Sequence, residues 1–246
     1  MRHNRISIRT SLLTIFSFTL TLAGPVGFPA SAQTNGVLND LRGGYWLAQT
    51  QDLGVWWCEG GWKVGRDREM PGQPRGQAGP VRVCAARGEY EPVQVVLRPE
   101  CDGTLLEAEV SPLRQRWRTA APITVRVDEV AYVEVKHPTD KTCQPGWYPD
   151  PLPPLRLPLA LRAGQNQPLW ITFHVAREAR AGDYRGELKL RTTRGTVRVP
   201  LQVHVYDFTL PQETHLKSAL GLGTHGINQY HHLQQPEDRK AVFEKY

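Results

Sequence analysis

Between residues 81 and 208 the hydrophobic and polar positions alternate with a period of two. Tyr184, Gly186, Leu188 and Leu190 interleave with Arg185, Glu187, Lys189 and Arg191. Val197, Val199, Leu201, Val203 and Val205 interleave with Arg198, Pro200, Gln202, His204 and Tyr206. Alternation of this kind predicts strands with one buried and one solvated face. Thr193-Arg194-Gly195 predicts a tight hairpin between the two, with Gly195 free to take a positive φ. Pro200 cannot donate a ladder hydrogen bond, so its strand is expected at an edge or bulged there. The pattern repeats at Val93, Val95 and Leu97, at Leu169, Ile171, Phe173 and Val175, and along Ile123, Val125, Val127, Ala131, Val133 and Val135. With Val81 to Ala85 and Leu105 to Val110, about seven strands and no helix are expected, a composition that favours an all-β antiparallel sandwich.

Two segments interrupt the strands. Residues 65–80 are rich in Gly, Pro, Arg and Gln and predict a surface excursion. Residues 137–158 hold seven prolines and predict either a rigid crossover or a functional loop.

The two ends follow different rules. Arg2, Arg5 and Arg9, an apolar stretch from Leu12 to Ala23, helix breakers at Gly24 and Pro25, and Ala30-Ser31-Ala32 occur in the order of a cleaved export signal. A span of the bilayer needs about 20 apolar residues, more than this stretch offers. Residues 1–32 are therefore read as a signal peptide, with the mature protein secreted or periplasmic and off the membrane. At the other end, Leu216–Leu222 predicts a short strand, Gly223-Thr224-His225-Gly226 a loop, and Gln235-Pro236-Glu237-Asp238 a helix start. Strand, loop and helix open an α/β unit, so residues 33–211 are assigned to the sandwich and 212–246 to the truncated start of a (β/α)₈ barrel, a TIM-type fold. Ala241, Val242, Phe243 and Tyr246 begin an apolar helix face whose partner is expected in further sequence, which predicts that the chain is part of something longer.

Removing the signal removes three arginines and no acid. The mature chain then carries 27 basic against 24 acidic residues, a balance that gives no nucleic-acid footprint. Four cysteines, Cys58, Cys84, Cys101 and Cys143, suit disulfides in an oxidising compartment, with three possible pairings; free buried thiols are the alternative. Their spacing lacks the C-x-x-C of a zinc site.

Candidate chemistry is sparse, and no metal site or cofactor is expected. Asp128 and Glu129 are adjacent, but neighbours on a strand face opposite ways, which argues against a catalytic pair. His225, near His231 and His232, would stand at the C-terminal end of a first barrel strand, where such barrels carry their active sites. Asn228 and Tyr230 follow it. Seven tryptophans invite a search for sugar-stacking faces, although core packing is their usual role. Trp147, in the Gly146-Trp147-Tyr148-Pro149-Asp150-Pro151 cluster, is the stacking candidate, with Asp150 beside it. His225, Trp147, Asp150 and Tyr230 are thus the candidate substrate-binding residues, and no catalytic residue is assigned.

Six segments in order, CAARGEYEPVQVVLRP (Cys84–Pro99), HPTD (His137–Asp140), GWYPDPLPP (Gly146–Pro154), QPLWITFHV (Gln167–Val175), AGDYRGEL (Ala181–Leu188) and VHVYDFTLP (Val203–Pro211), resemble the N-terminal region of secreted bacterial glycoside hydrolases of family 123. The resemblance implies a non-catalytic β-sandwich ahead of a (β/α)₈ barrel that removes N-acetylgalactosamine with help from the substrate's acetamido group. It implies that the catalytic Asp-Glu pair belongs to the barrel, so no residue of this chain matches it and the chain by itself is expected to be inactive. The implied partners are a glycan or the protein's own C-terminal barrel. A stand-alone carbohydrate-binding or structural module is the competing expectation.

Overall fold

A computed structural model describes residues 36–116, 122–139, 143–213 and 224–245. The signal segment, Trp117, Arg118, Asp140, the expected strand at Leu216–Leu222 and Tyr246 lie outside the described residues.

Among the described residues, twelve strands precede two short helices. The strands are β1 (Tyr45–Gln49), β2 (Leu53–Glu59), β3 (Val81–Arg87), β4 (Tyr90–Pro99), β5 (Gly103–Val110), β6 (Ile123–Glu129), β7 (Tyr132–Val135), β8 (Gly146–Pro149), β9 (Leu159–Leu161), β10 (Gln167–Val175), β11 (Gly182–Thr192) and β12 (Gly195–Thr209). The helices are α1 (Thr224–Tyr230) and α2 (Pro236–Phe243).

One sheet runs β1-β2-β4-β10-β6 and a second β3-β12-β11-β5-β9, while β7 and β8 form a separate ribbon. Pairing is antiparallel throughout except between β12 and β3. The two large sheets share one core. Val55, Val95, Leu97, Ile171 and Phe173 from the first meet Val81, Leu188, Leu190, Val199 and Val203 from the second. Each fully buried side chain of this kind contributes about 1.5–3 kcal/mol. The sandwich expected from the alternating pattern is therefore present.

Several local expectations are borne out. Thr192 pairs with Gly195, whose φ is +132°, so the hairpin turns on Thr193 and Arg194. Pro200 sits in an interior strand, yet the pairing with β3 starts only at Leu201. Residues 195–200 have β11 alone beside them, so the missing N–H costs nothing on the open side. Gln235 caps α2 in an extended conformation with Pro236 in the first turn, and Glu237 and Asp238 occupy the same turn.

Other expectations are corrected. Ile123 to Val135 is not one inward face. The strand stops at Glu129, the chain bends at buried Val130, and β7 leaves for its own ribbon, where Val133 is exposed. Val125 and Val127 are only half-buried because β6 is an edge strand. Residues 146–149 are strand rather than loop. Residues 65–80 are not all excursion either. Arg68 is 1% exposed, with its guanidinium over the Trp56 ring at 4.4 Å and Nη2 donating to the Gly43 carbonyl. Asn166 holds the same loop through Nδ2, which donates to Gly65 O at 2.9 Å and Arg68 O at 2.7 Å.

All four cysteines are free thiols. Cys58 lies on β2 opposite Gln94, Cys84 lies on β3 opposite His204, and Cys101 and Cys143 stand in connections, so no two share a register. His225 stands in the first turn of α1 rather than in a loop. Two short helices do not by themselves make a barrel start, and the strand that would complete the unit falls outside the described residues.

Candidate glycan-binding groove

The outer face of the first sheet carries a concavity walled by two loops. β2, β4 and β10 are neighbours, and on that face Gln94 pairs with Cys58 on one side and Trp170 on the other. The loop leaving β2 folds back over this face and brings Trp62 and Lys63 with it. The segment after β8 closes the far side with Pro149, Asp150 and Leu152. The result is a groove of about 220 Å³ whose walls include Trp62, Trp170, Lys63 and Asp150, with Gln94 among its lining residues. A second hollow of about 280 Å³ shares Lys63, Pro149 and Asp150 with it and continues along β7 and β8 past Val133, Val135 and Tyr148.

Local chemistry fixes these side chains. Trp62 Nε1 donates to Glu59 Oε2 at 3.0 Å, and the other oxygen of that carboxylate accepts from Tyr45 Oη at 2.9 Å. A Cβ added at Gly43 would lie 2.1 Å from the Trp62 ring, so the indole rests directly on glycine backbone. A Cβ at Gly60 would approach Pro92 at 2.8 Å and Trp170 at 3.1 Å. These two glycines are therefore close-approach positions that let the tryptophans pack where they do. Lys63 Nζ lies 3.5 Å from Pro149 O, which spans the boundary between the two hollows. Tyr132 Oη donates to Val64 O at 3.0 Å and joins the β7–β8 ribbon to the loop above β2. Burial pushes the Tyr132 phenol well above its usual range, so it stays a neutral donor.

The residues singled out in the sequence meet different fates. Asp150 is exposed and lines both hollows. Trp147 is 41% exposed, but the Arg66 guanidinium lies over its ring at 3.9 Å and occupies one face. It belongs to neither hollow's wall. His225 and Tyr230 are exposed on α1, and neither hollow includes them. Tyr230 packs edge-on against His231 with ring centroids 5.0 Å apart. Asp128 is 3% exposed and accepts from Arg126 Nε at 2.7 Å, while Glu129 ends β6 with its N–H on Pro153 O at 3.0 Å. The two residues are consecutive positions of β6, the first buried and the second half-buried. Among the described residues no group of three or more His, Cys, Asp or Glu is placed to hold a metal ion.

Trp62, Trp170, Lys63 and Gln94 were not singled out from the sequence. Trp62 and Trp170 stood out only as tryptophans, and they come together because β2 and β10 flank β4. A polar Gln between the apolar Val93 and Val95 was the available signal for Gln94.

No family model matches the chain, and no curated protein matches it. Among solved structures, a family 123 glycoside hydrolase from Clostridium perfringens is similar over 56% of this chain, with 13% identity and a TM-score of 0.43. The chain spans 24% of that protein's length. CaCohA2 from Clostridium acetobutylicum is similar over 52% of this chain and 88% of its own, with 13% identity and a TM-score of 0.26. A PapD-like domain of human CEP192 is similar over 56% and 94%, with 13% identity and a TM-score of 0.26. None of these likenesses assigns a function to this chain.

Proposed function

We propose that this chain is the non-catalytic β-sandwich portion of a secreted glycoside hydrolase of the family 123 kind, acting on N-acetylgalactosaminide-type glycans through a C-terminal barrel of the same protein. The observation that carries the reading is the position of the segment Gly146–Pro154. It is one of the six segments behind the resemblance, and it supplies Pro149, Asp150 and Leu152 to the wall of the groove. Two of the other segments supply strands of the sheet beneath that wall, β4 and β10. Cys84–Pro99 runs from β3 through β4, Gln167–Val175 is β10, and Val203–Pro211 includes the end of β12. Residues 212–246 are read as the lead into the barrel, with α1 and α2 as its first helical turns.

The test compares two preparations on a panel of aryl N-acetylhexosaminides. Native protein captured from the culture medium of its source organism is expected to release N-acetylhexosamine, and residues 33–246 alone are expected to release none. A native protein inactive across the panel, or turnover by the short chain, contradicts the proposal. The groove itself favours a second reading, a stand-alone glycan-binding module. Tryptophan walls with a polar floor are the usual chemistry for holding a pyranose, and that reading requires no barrel.

A further inference from the structure

We infer that the Trp62–Trp170 groove is a binding subsite for a neutral pyranoside, with Gln94 as the hydrogen-bond acceptor at its floor and Lys63 and Asp150 at its rim. The inference deepens the glycan-binding reading of the groove and does not depend on whether the protein is a hydrolase.

Gln94 is 2% exposed, on the sheet face that also carries Cys58, Trp170 and Asp128 in register with it. Its Nε2 donates to Trp62 O at 2.7 Å and approaches Glu59 O at 3.5 Å. Both partners are carbonyl oxygens, which only accept, so the amide cannot be reversed without losing both contacts. Oε1 therefore faces away from them, and no donor meets it among the described residues. Oε1 is not sealed from solvent, so it stands ready as an acceptor for a ligand O–H or N–H. The side chain lines the groove, so a ligand there can supply that donor in place of water.

The walls select the ligand's shape. A pyranose ring presents a C–H face and a rim of hydroxyls. Trp170 lies directly across the β4–β10 register from Gln94, and Trp62 closes the other side. Indole faces take the C–H surface while the hydroxyl rim reaches Gln94 Oε1 and the Asp150 carboxylate. Lys63 Nζ supplies a donor for a ring or hydroxyl oxygen. The indole of Trp62 is held by Glu59 and seated on Gly43, so little ordering remains to be done on binding.

The rim selects the ligand's charge. Lys63 and Asp150 are both exposed, opposite in sign and common to both hollows. A uronate would be drawn to Lys63 but repelled by Asp150, and an amino sugar the reverse, so neither gains net attraction for its desolvation cost and a neutral sugar is favoured. The first hollow accommodates one ring. The second, continuous through Lys63, Pro149 and Asp150, would take the next unit of a chain.

The test is titration of the full exported chain, followed by tryptophan fluorescence and calorimetry. Lactose and N,N′-diacetylchitobiose serve as neutral probes, digalacturonate as an anionic one and the glucosamine disaccharide as a cationic one. Saturable binding of a neutral disaccharide with Kd on the order of 1 mM or tighter is expected. Trp170→Ala should weaken it about tenfold. Asp150→Ala changes an exposed residue, keeps the fold and should also weaken it severalfold, which covers the case in which Trp170→Ala fails to fold. Trp147→Ala should leave it unchanged. The inference is overturned if no neutral disaccharide binds at about 20 mM, far above that Kd. It is also overturned if Asp150→Ala leaves the affinity unchanged in a protein with unchanged circular dichroism, or if a charged disaccharide binds more tightly. Those results leave the hydrolase comparison above untouched, because that assay reads release of sugar by the native protein.

Discussion

Single residues decide most of what the groove can do, and Gly43 and Gly60 matter as much as the side chains they admit. At Gly60 a methyl group would press on Pro92 and on the Trp170 ring. Gly60→Ala is expected to cost about 1–3 kcal/mol of stability and to lower affinity for neutral disaccharides, as read by chemical denaturation and the titration described above. The thiols make a separate residue-scale prediction. Burial pushes the Cys58 thiol up to about 12, so it stays protonated and shielded at neutral pH. Cys84, Cys101 and Cys143 are exposed. Alkylation of the folded protein at about pH 8 should modify those three and spare Cys58, and denaturation should release the fourth, by intact mass. Protection of an exposed pair under non-reducing conditions would instead reveal a disulfide and contradict the free-thiol arrangement.

At the scale of elements, the outer face of the second sheet is bound by charge. Glu107 on β5 accepts from Lys189 Nζ at 2.9 Å and from Arg191 Nη2 at 2.5 Å, both on β11. These two donors hold its carboxyl near 2, below its ordinary 4.5. A carboxylate depressed in the folded state stabilises fully above about 4.5, and that contribution is lost as the pH falls toward 2. Lowering the pH from about 5 to about 3 should therefore reduce Tm more in the native sequence than in Glu107→Gln. Equal acid sensitivity in the two proteins would show that the cluster does not couple β5 to β11. The same scale shows why some elements were legible in the sequence and others were not. β11 and β12 could be read because one face of each meets the core, which leaves a clean alternation at Leu188, Leu190 and Val197 to Val205. β2 could not, because both its faces are covered. Val55 and Trp57 enter the main core, while Trp56 and Cys58 pack under Val64, Trp62 and Met70. Its Leu53-to-Glu59 run consequently shows no period of two. The β7–β8 ribbon was hidden by the prolines around it, since Pro149 ends the strand at its last ladder position.

At the scale of the molecule, the sandwich was readable and the groove was not. The groove gathers residues from positions 60–63, 94, 130, 149–152 and 170, which only the strand order β2-β4-β10 brings together. Of the residues chosen from the sequence, Asp150 alone lies in its wall. His225 and Tyr230 belong to α1 and to the proposed continuation into a barrel. The account makes the chain one portion of a larger exported enzyme, so the direct measurement is the intact mass of the native protein recovered from its source. Scaling 27.7 kDa to residues 33–246 gives roughly 24 kDa for the signal-cleaved chain alone. The account predicts a mass well above that, with a catalytic domain joined to the sandwich. A native mass near 24 kDa would contradict it and leave the groove as the site of a stand-alone binding module.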